Sequence, residues 1–455
     1  MRRLAAILPA AILMALGVST GPAEAVAPVP AASAVAGPTG AYTPLKPARL
    51  LDTRKKIGVT TTTPLGAGRY VDLQVSTRGG VPTSGTSSVI LNVTVVSPSS
   101  EGYVTIYPTG SSRPTASSVN FNKGWTGANL VTVKLGSGGK VRVFNYAGNA
   151  HVVADVVGYY HASTSTATKS YGGYAGVDPS RILDTRTTND PLPAGYYLST
   201  GADFTTAVNP HVRAFAVNVT VVKPTSAGYL TAWNGDENAI PGTSTLNFTK
   251  GKTVPNMAVV PTRACGTECT DATTPVIGVL NTSGGSAHVV VDLVGIYDDN
   301  TLDGTWRYRA LPGPTRIVNT KTGQGISSAI PSNGTRTVTT PSSITTTDTM
   351  ALVTNTTANK PTTTTVLTLW NADYTRPTVS NLNPAAGQLV SNMTFTDIGT
   401  DYDFSVHNRV GSTNLVIDVA GTMEAAPAPA LAKSAAKVAA PRLAPQGVQL
   451  AARHR

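Results

Sequence analysis

The chain has little charge, few aromatic residues and almost no cysteine: of its 455 residues, 13% are charged, 6% are aromatic and two are cysteines. Because 41% of the residues are hydrophobic, a wholly disordered protein is excluded. Outside residues 4 to 18, no apolar run approaches the roughly 18 residues that a membrane-spanning helix needs. The length predicts about two to four domains, at roughly 100 to 200 residues each.

The first 25 residues have the pattern of a secretory signal peptide. Arg2 and Arg3 precede an apolar stretch over residues 4 to 18 and an A-x-A cleavage site at residues 23 to 25. We therefore expect a secreted protein, extracellular or associated with the cell wall, with no transmembrane segment after cleavage. Residues 26 to 42, rich in Ala, Pro and Gly, are expected to form a linker.

Positive charge is concentrated at the two ends of the chain. Of the net charge of +11, two charges come from Arg2 and Arg3 and five from residues 425 to 455, so the rest of the chain carries only four. Nucleic acid is therefore not expected as a partner, because no basic face is present. The Ala- and Pro-rich segment 425–455 is expected to be disordered. It is either a solvated terminus or a basic tail that lies against anionic wall polymers.

An internal repeat organises the rest of the chain. The motif RLLDTR returns as RILDTR and, more loosely, as RIVNTK, at spacings of 132 and 135 residues. Its charged residues are Arg49, Asp52 and Arg54 in the first copy, Arg181, Asp184 and Arg186 in the second, and Arg316 in the third. Each copy also has an asparagine in a run like LNVTVV (Asn92, Asn218, Asn355) and a closing aspartate in DVVG, DLVG or DVAG (Asp155, Asp292, Asp418). These landmarks predict three homologous units, at 43–160, 172–298 and 306–423.

Each unit consists of short runs rich in Val, Thr and Tyr, separated by Pro, Gly and Ser. In the first unit the predicted strands cover residues 89–96, 102–107, 117–121, 130–135, 140–145 and 151–159. The fold class is therefore all-β, with three tandem antiparallel β-sandwich repeats of the immunoglobulin-like or jelly-roll kind. A propeller with two blades per unit and a β-trefoil are less favoured alternatives.

The repeated polar residues have two interpretations. Arginine and aspartate at the start of each unit can form charge-assisted pairs, and asparagines beside Gly and Pro commonly satisfy turn backbones. A shared architectural role explains their recurrence most simply, because buried polar groups are normally hydrogen-bonded. The alternative is a ligand site repeated in each unit.

The landmarks RLLDTR, LNVTV, NFxxG and DVVGYY resemble a tandem β-repeat domain found in secreted proteins of high-GC Gram-positive bacteria, whose function is largely uncharacterised. The similarity covers nearly the whole chain after the signal and is weaker in the third unit, where Asn319 and Lys321 replace the aspartate and the second arginine. The resemblance implies an extracellular, wall-associated or matrix role. It implies no catalytic residues.

Catalytic and metal motifs are missing from the sequence. It contains no G-x-S-x-G, no H-E-x-x-H and no zinc spacing of Cys and His. His151 with Asp155, repeated as His288 with Asp292, lies on one strand face, but the third copy has Asn414, which favours a hydrogen-bonding role. We expect no enzyme activity, no metal and no cofactor.

Two further groups of residues could bind a ligand. The acidic clusters Asp298, Asp299 and Asp303 and Asp397, Asp401 and Asp403 could hold calcium, although solvated loop carboxylates explain them better. The aligned aromatic residues Tyr107, Trp233 and Trp370 could stack on a glycan, but strand aromatics more often pack between sheets.

The sequence therefore predicts a secreted, non-enzymatic protein of the cell surface or extracellular matrix. Its partner would be a cell-wall polymer, an extracellular polysaccharide or a protein. The alternative is a secreted hydrolase with its site at a junction between units. Cys265 and Cys269 are predicted to form a disulfide inside an insertion peculiar to the second unit, because no other thiol is present to pair with either.

Overall fold

The computed structural model describes residues 39–162, 172–425 and 443–454 of the chain. These residues form β-strands and short 3-10 turns (Ser137–Gly139, Asn209–His211, Glu237–Ala239, Gly266–Glu268), and the described ranges contain no α-helix. The predicted all-β class is confirmed. The expected signal peptide lies outside the described residues.

The strands follow one another in three units. Unit 1 contains β2 (Tyr42–Asp52), β3 (Tyr70–Gln74), β4 (Thr86–Val96), β5 (Gly102–Pro108), β6 (Val119–Phe121), β7 (Thr126–Lys134), β8 (Lys140–Asn145) and β9 (His151–His161). Unit 2 contains β10 (Tyr174–Asp184), β11 (Tyr196–Asp203), β12 (Ala214–Val222), β13 (Gly228–Trp233), β14 (Leu246–Phe248), β15 (Val254–Pro261), β16 (Arg263–Ala264), β17 (Pro275–Ser283) and β18 (His288–Tyr297). Unit 3 contains β19 (Trp306–Asn319), β20 (Gly334–Thr339), β21 (Thr349–Asn359), β22 (Leu367–Asn371), β23 (Leu389–Asp397), β24 (Asp403–Asn408) and β25 (Asn414–Ala425). Three short strands lie outside the units: β1 (Thr39–Gly40), β26 (Gln446–Gln449) and β27 (Arg453–His454).

Strand pairing identifies each unit as a jelly roll. In unit 1 the antiparallel pairs are nested, β2 with β9, β3 with β8, β4 with β7 and β5 with β6. They form an inner sheet, β2-β9-β4-β7, and an outer sheet, β3-β8-β5-β6. Unit 2 repeats this order and adds β16, whereas unit 3 has only the bridge between Leu367 and Leu382 where β6 would lie. Of the two predicted kinds of sandwich, the structure is the jelly roll.

The inner sheets are buried on both faces. In β4, Val89 and Leu91 point into the core of unit 1, whereas Ile90 joins a second core that lies between the units. Units 2 and 3 also share one continuous sheet, because β10 pairs with β19 at Tyr174 and Trp306. The near-continuous apolar runs of the sequence therefore contribute side chains to two cores, one on each face of the inner sheet.

The core between the units explains the glycine of the DxxG motif. One tyrosine in each unit lies flat against this glycine and donates its hydroxyl to the preceding carbonyl oxygen at 3.0–3.2 Å. A Cβ on the glycine would lie 2.1–2.4 Å from the nearest tyrosine atom, so a larger residue does not fit. The tyrosine and glycine pairs are Tyr42 with Gly158, Tyr174 with Gly295 and Tyr308 with Gly421.

Parts of both terminal segments form short strands. Residues 443–454, expected in the disordered tail, form β26 and β27 against β11 of unit 2, because an edge strand offers unpaired backbone groups. Residues 39–42, expected in the linker, pair with β19 and β9. Residues 26–38 and 426–442 lie outside the described ranges.

Candidate functional site

The repeated arginine and closing aspartate form an ion pair in every unit. The guanidinium Nε lies 2.7–2.8 Å from a carboxylate oxygen in the pairs Arg49–Asp155, Arg181–Asp292 and Arg316–Asp418. Burial raises the pKa of Asp155 and of Asp292, and the adjacent arginine opposes that rise. Each ion pair connects the first and last strands of its unit, which are neighbours in the inner sheet, as β2 and β9 are in unit 1.

The DTR motif is a local turn. Asp52 accepts hydrogen bonds from the backbone and the guanidinium of Arg54, and Asp184 does the same with Arg186. In unit 3, Asn319 still accepts the backbone N–H of Lys321 at 3.2 Å. The third copy therefore keeps the turn and lacks the two ion pairs that Asp52 forms with Arg49 and Arg54 in unit 1.

The repeated asparagines connect each unit to the next. The side-chain amide of the first asparagine donates to a backbone oxygen of the neighbouring unit, at 2.6–2.7 Å. The pairs are Asn92 with Ser244, Asn218 with Ser380, and Asn355 with Ser117. A second asparagine of that neighbour donates back to the first at 2.8–3.0 Å, in the pairs Asn256 with Asn92, Asn392 with Asn218, and Asn129 with Asn355. Unit 1 thus contacts unit 2, unit 2 contacts unit 3 and unit 3 contacts unit 1, which closes a pseudo-threefold ring.

The second asparagines also accept hydrogen bonds from backbone N–H groups at the edges of the inner sheets. Because β15 and β23 are edge strands of the inner sheets, some of their N–H groups have no partner within the sheet. The Oδ1 of Asn392 accepts the N–H of Met257, and that of Asn129 accepts the N–H of Met393, both at 2.8 Å. The Oδ1 of Asn256 has no hydrogen-bond partner among the described residues. The repeated asparagines therefore serve the assembly of the units.

The histidine and aspartate pairs do not form a dyad. The Nδ1 of His151 lies 3.0 Å from the Oγ1 of Thr53, while Asp155 is bound by Arg49. His288 makes the same contact with a threonine in unit 2, and Asn414 does so in unit 3. A strand hydrogen bond therefore explains why asparagine can replace the histidine.

A cleft of about 250 Å³ lies between units 2 and 3. Asp303, Asp373 and Asp397 line it, together with the ring of Trp306. Neither histidine nor serine occurs among the described residues of its lining, so the combination that a hydrolase of the expected kind needs is not assembled there.

The acidic clusters are divided among different roles. Asp298 accepts the backbone N–H groups of Gly173 and Leu302, and Asp299 binds Arg213 at 2.8 Å. In the described part of the chain, no three metal-ligating side chains converge on one point.

The aligned aromatic residues are largely covered. Tyr107 and Trp233 are 4% and 2% exposed, and Trp370 is half-buried. In each unit the loop that follows these residues folds back over the outer sheet. In unit 1, for example, Thr105 donates to the carbonyl of Ala116 at 2.9 Å. The proposed stacking of Tyr107 and Trp233 on a glycan is therefore wrong, because their faces already pack inside the protein.

Two other tyrosines are exposed on the outer sheet of unit 1. Tyr70 on β3 and Tyr146 just after β8 are each 52% exposed. The guanidinium of Arg142 lies 3.8 Å from the ring centre of Tyr70, and the ring of Tyr103 stacks on Tyr146 at 4.4 Å and 12°. Each ring is thus covered on one face, which fixes its orientation. We call Tyr70, Tyr103, Arg142 and Tyr146 the tyrosine platform.

Charges around the platform are ordered by one carboxylate. Asp72 accepts two hydrogen bonds from Arg142, at 2.7 and 2.8 Å, and this contact lowers the pKa of Asp72 and raises the pKa of Arg142. Burial raises the pKa of Tyr103. The platform therefore presents tyrosine hydroxyls beside a guanidinium that a carboxylate holds in place.

The other two units differ at this place. Tyr197 of unit 2 aligns with Tyr70, but it packs edge-on against Trp233, and its hydroxyl donates to Glu237. In unit 3 the aligned residue is Thr335. Sequence reasoning missed Tyr70 and Tyr146, because it considered only the aromatics that recur in all three units.

The predicted disulfide is confirmed. Cys265 and Cys269 are bonded, with their Cα atoms 5.8 Å apart, in a loop that ends a short strand pairing with β17. The described ranges hold no helix with the length and apolar character of a membrane span.

Comparison with known proteins gives only distant structural likeness. No family model and no curated protein matches the chain. A solved structure of the Sulfolobus turreted icosahedral virus is 10% identical, with 85% of this chain and 91% of that chain covered, at a TM-score of 0.16. A structure described as the triple jelly roll fold and turret assembly in an archaeal virus is also 10% identical, with 86% and 98% covered, at a TM-score of 0.16.

Proposed function

We propose that the chain is a secreted, non-enzymatic protein of the cell surface or extracellular matrix, and that the tyrosine platform of unit 1 binds a wall polymer or polysaccharide. The exposed, pre-oriented rings of Tyr70 and Tyr146 carry this proposal. A tyrosine offers a large apolar face and a hydroxyl at little cost in side-chain entropy. Sugars match this chemistry, because they present both C–H faces and hydroxyl groups.

The spacing of the rings suits an extended ligand. Tyr70 pairs with Phe144 across the strands, and Tyr146 lies two residues beyond Phe144. Diagonal neighbours of this kind are about 7–8 Å apart, so a single polysaccharide chain can contact both rings. Arg142 lies beside Tyr70 and supplies hydrogen-bond donors at the same surface.

Binding to purified cell wall, with chitin and cellulose as comparators, tests the proposal. Tyr70→Ala and Tyr146→Ala should each weaken binding about fivefold, or about 1 kcal/mol per lost ring contact. Tyr70→Phe should keep most of the affinity, because the ring remains.

Tyr229→Ala is the matched control. Tyr229 occupies the position of Tyr103 in unit 2, where Thr282 lies opposite in place of a second tyrosine, so its removal should leave binding unchanged. Unaltered wall binding by the double variant of Tyr70 and Tyr146 would rule out the platform. Failure of the intact protein to bind any of these polymers would rule out the proposed polysaccharide partner.

A further inference from the structure

The C-terminal strands occupy one edge of unit 2. β26 pairs antiparallel with β11, Gln446 opposite Asp203 and Gln449 opposite Thr200, and β27 continues along Tyr196 and Tyr197. Leu450 donates its N–H to the carbonyl of Ser199 at 2.9 Å. The segment therefore adds a strand to the outer sheet, as extended peptides do at exposed sheet edges.

Two carboxylates hold the end of this added strand. Arg453 reaches Glu237 at 2.9 Å through Nη1 and Glu268 at 2.7 Å through Nη2. Glu237 also accepts the hydroxyl of Tyr197, and His454 packs edge-on against Tyr196 at 4.8 Å. We call Glu237 and Glu268 the acidic clasp.

The clasp is specific to unit 2. Glu268 lies between Cys265 and Cys269 in the insertion that only this unit carries, and the positions aligned with Glu237 are Ser111 and Tyr374. β11 is also longer than its counterparts, with eight residues against five in β3 and six in β20. The insertion, the disulfide and the long edge strand thus meet at one site.

The attachment is suited to exchange. Arg453, Glu237 and Glu268 are 50%, 54% and 30% exposed, and ion pairs in such positions are individually weak. Seventeen residues, 426–442, separate the segment from the end of unit 3, enough to span about 60 Å when extended. A segment joined by so long a connection can occupy its own site or that of a second molecule.

We propose that the edge of β11 with the acidic clasp is a binding site for the C-terminal strand of this protein, and that a second copy of the chain can supply that strand. The site recognises three features of the C-terminal segment. Backbone pairing requires an extended strand, and at position 447 a Cβ would lie 3.1 Å from the Cα of Ile182, which favours glycine there. The clasp requires a cation at the position of Arg453.

Two variants of the protein test this proposal, and in neither can the chain's own C-terminal strand compete for the site. The receptor lacks residues 443–455, and the donor keeps them but carries Glu237→Arg and Glu268→Arg. We expect the mixture to form a one-to-one complex in analytical ultracentrifugation, whereas each variant alone stays monomeric. Arg453→Glu in the donor should weaken the complex about tenfold or more, because two attractive pairs become repulsive.

A synthetic peptide of residues 443–455, added to the receptor, separates the two parts of the proposal. Binding of both the peptide and the donor supports it. Binding of the peptide alone overturns exchange between copies, and absence of peptide binding to a receptor with wild-type thermal stability overturns the site. Reduction of the disulfide should weaken peptide binding, because Glu268 loses its fixed position.

Discussion

Replacing Asn392 by alanine should weaken the ring of units more than the same change at Asn256. Asn392 makes three hydrogen bonds, to the side chain of Asn218, the carbonyl of Asn381 and the N–H of Met257. Asn256 makes only the two equivalent to the first two, to the side chain of Asn92 and the carbonyl of Thr245. Both side chains are almost fully buried, so the cavities left behind are alike. The difference is one orphaned backbone N–H, which should cost about 1–3 kcal/mol.

Urea unfolding of the two variants, followed by tryptophan fluorescence, measures this difference. We expect a single transition in each, because the units share a core, with Asn392→Ala less stable by the stated amount. Amide hydrogen exchange at Met257 gives a local check, since its protection should fall in Asn392→Ala and persist in Asn256→Ala. Equal losses of stability together with unchanged exchange at Met257 would refute the reasoning.

Three further outcomes can be measured on single variants. Gly158→Ala should destabilise the protein by about 1–3 kcal/mol, seen in urea unfolding, because its Cβ would overlap the Tyr42 ring. Arg49→Met should cost about 3–5 kcal/mol by the same assay, because it leaves the carboxylate of Asp155 buried without its cation. The pKa of Asp184 is lowered, chiefly by the guanidinium hydrogen bond within its DTR motif, so the stability it supplies is complete at neutral pH and disappears as the pH falls through the lowered value. Asp184→Asn, which copies unit 3, should therefore cost less than about 1 kcal/mol at pH 7 and nothing in strong acid, as checked by unfolding at both pH values.

Much of the fold could be predicted because the arginine–aspartate pair and the first asparagine make the same contacts in every copy. The paired arginine and aspartate are 106, 111 and 102 residues apart in the three units, yet they meet in each, because the first and last strands of every unit pair. The predicted strands of unit 1 all overlap observed ones for a similar reason. Their Val-rich runs are bounded by turn residues that cannot continue a ladder.

The closed ring could not be predicted in the same way. The run around Asn92 is apolar on both strand faces, and such a pattern shows that both faces are covered without showing by what. The C-terminal strands were not predicted for a different reason. Their composition offers little apolar surface, and the backbone groups of β11 that hold them are invisible in a sequence.

Closure of the ring within one polypeptide has a genetic consequence. In a trimer of identical chains every substitution appears on all three faces, so a change that helps one face must be tolerated by the others. Here the three copies are encoded separately, and one outer sheet can change while the shared centre stays constant. The exposed rings of Tyr70 and Tyr146, the clasp around Arg453 and the threonine at position 335 are three such divergent faces. The chain can therefore present three different surfaces in fixed relative positions, which a symmetric assembly of one repeat cannot do.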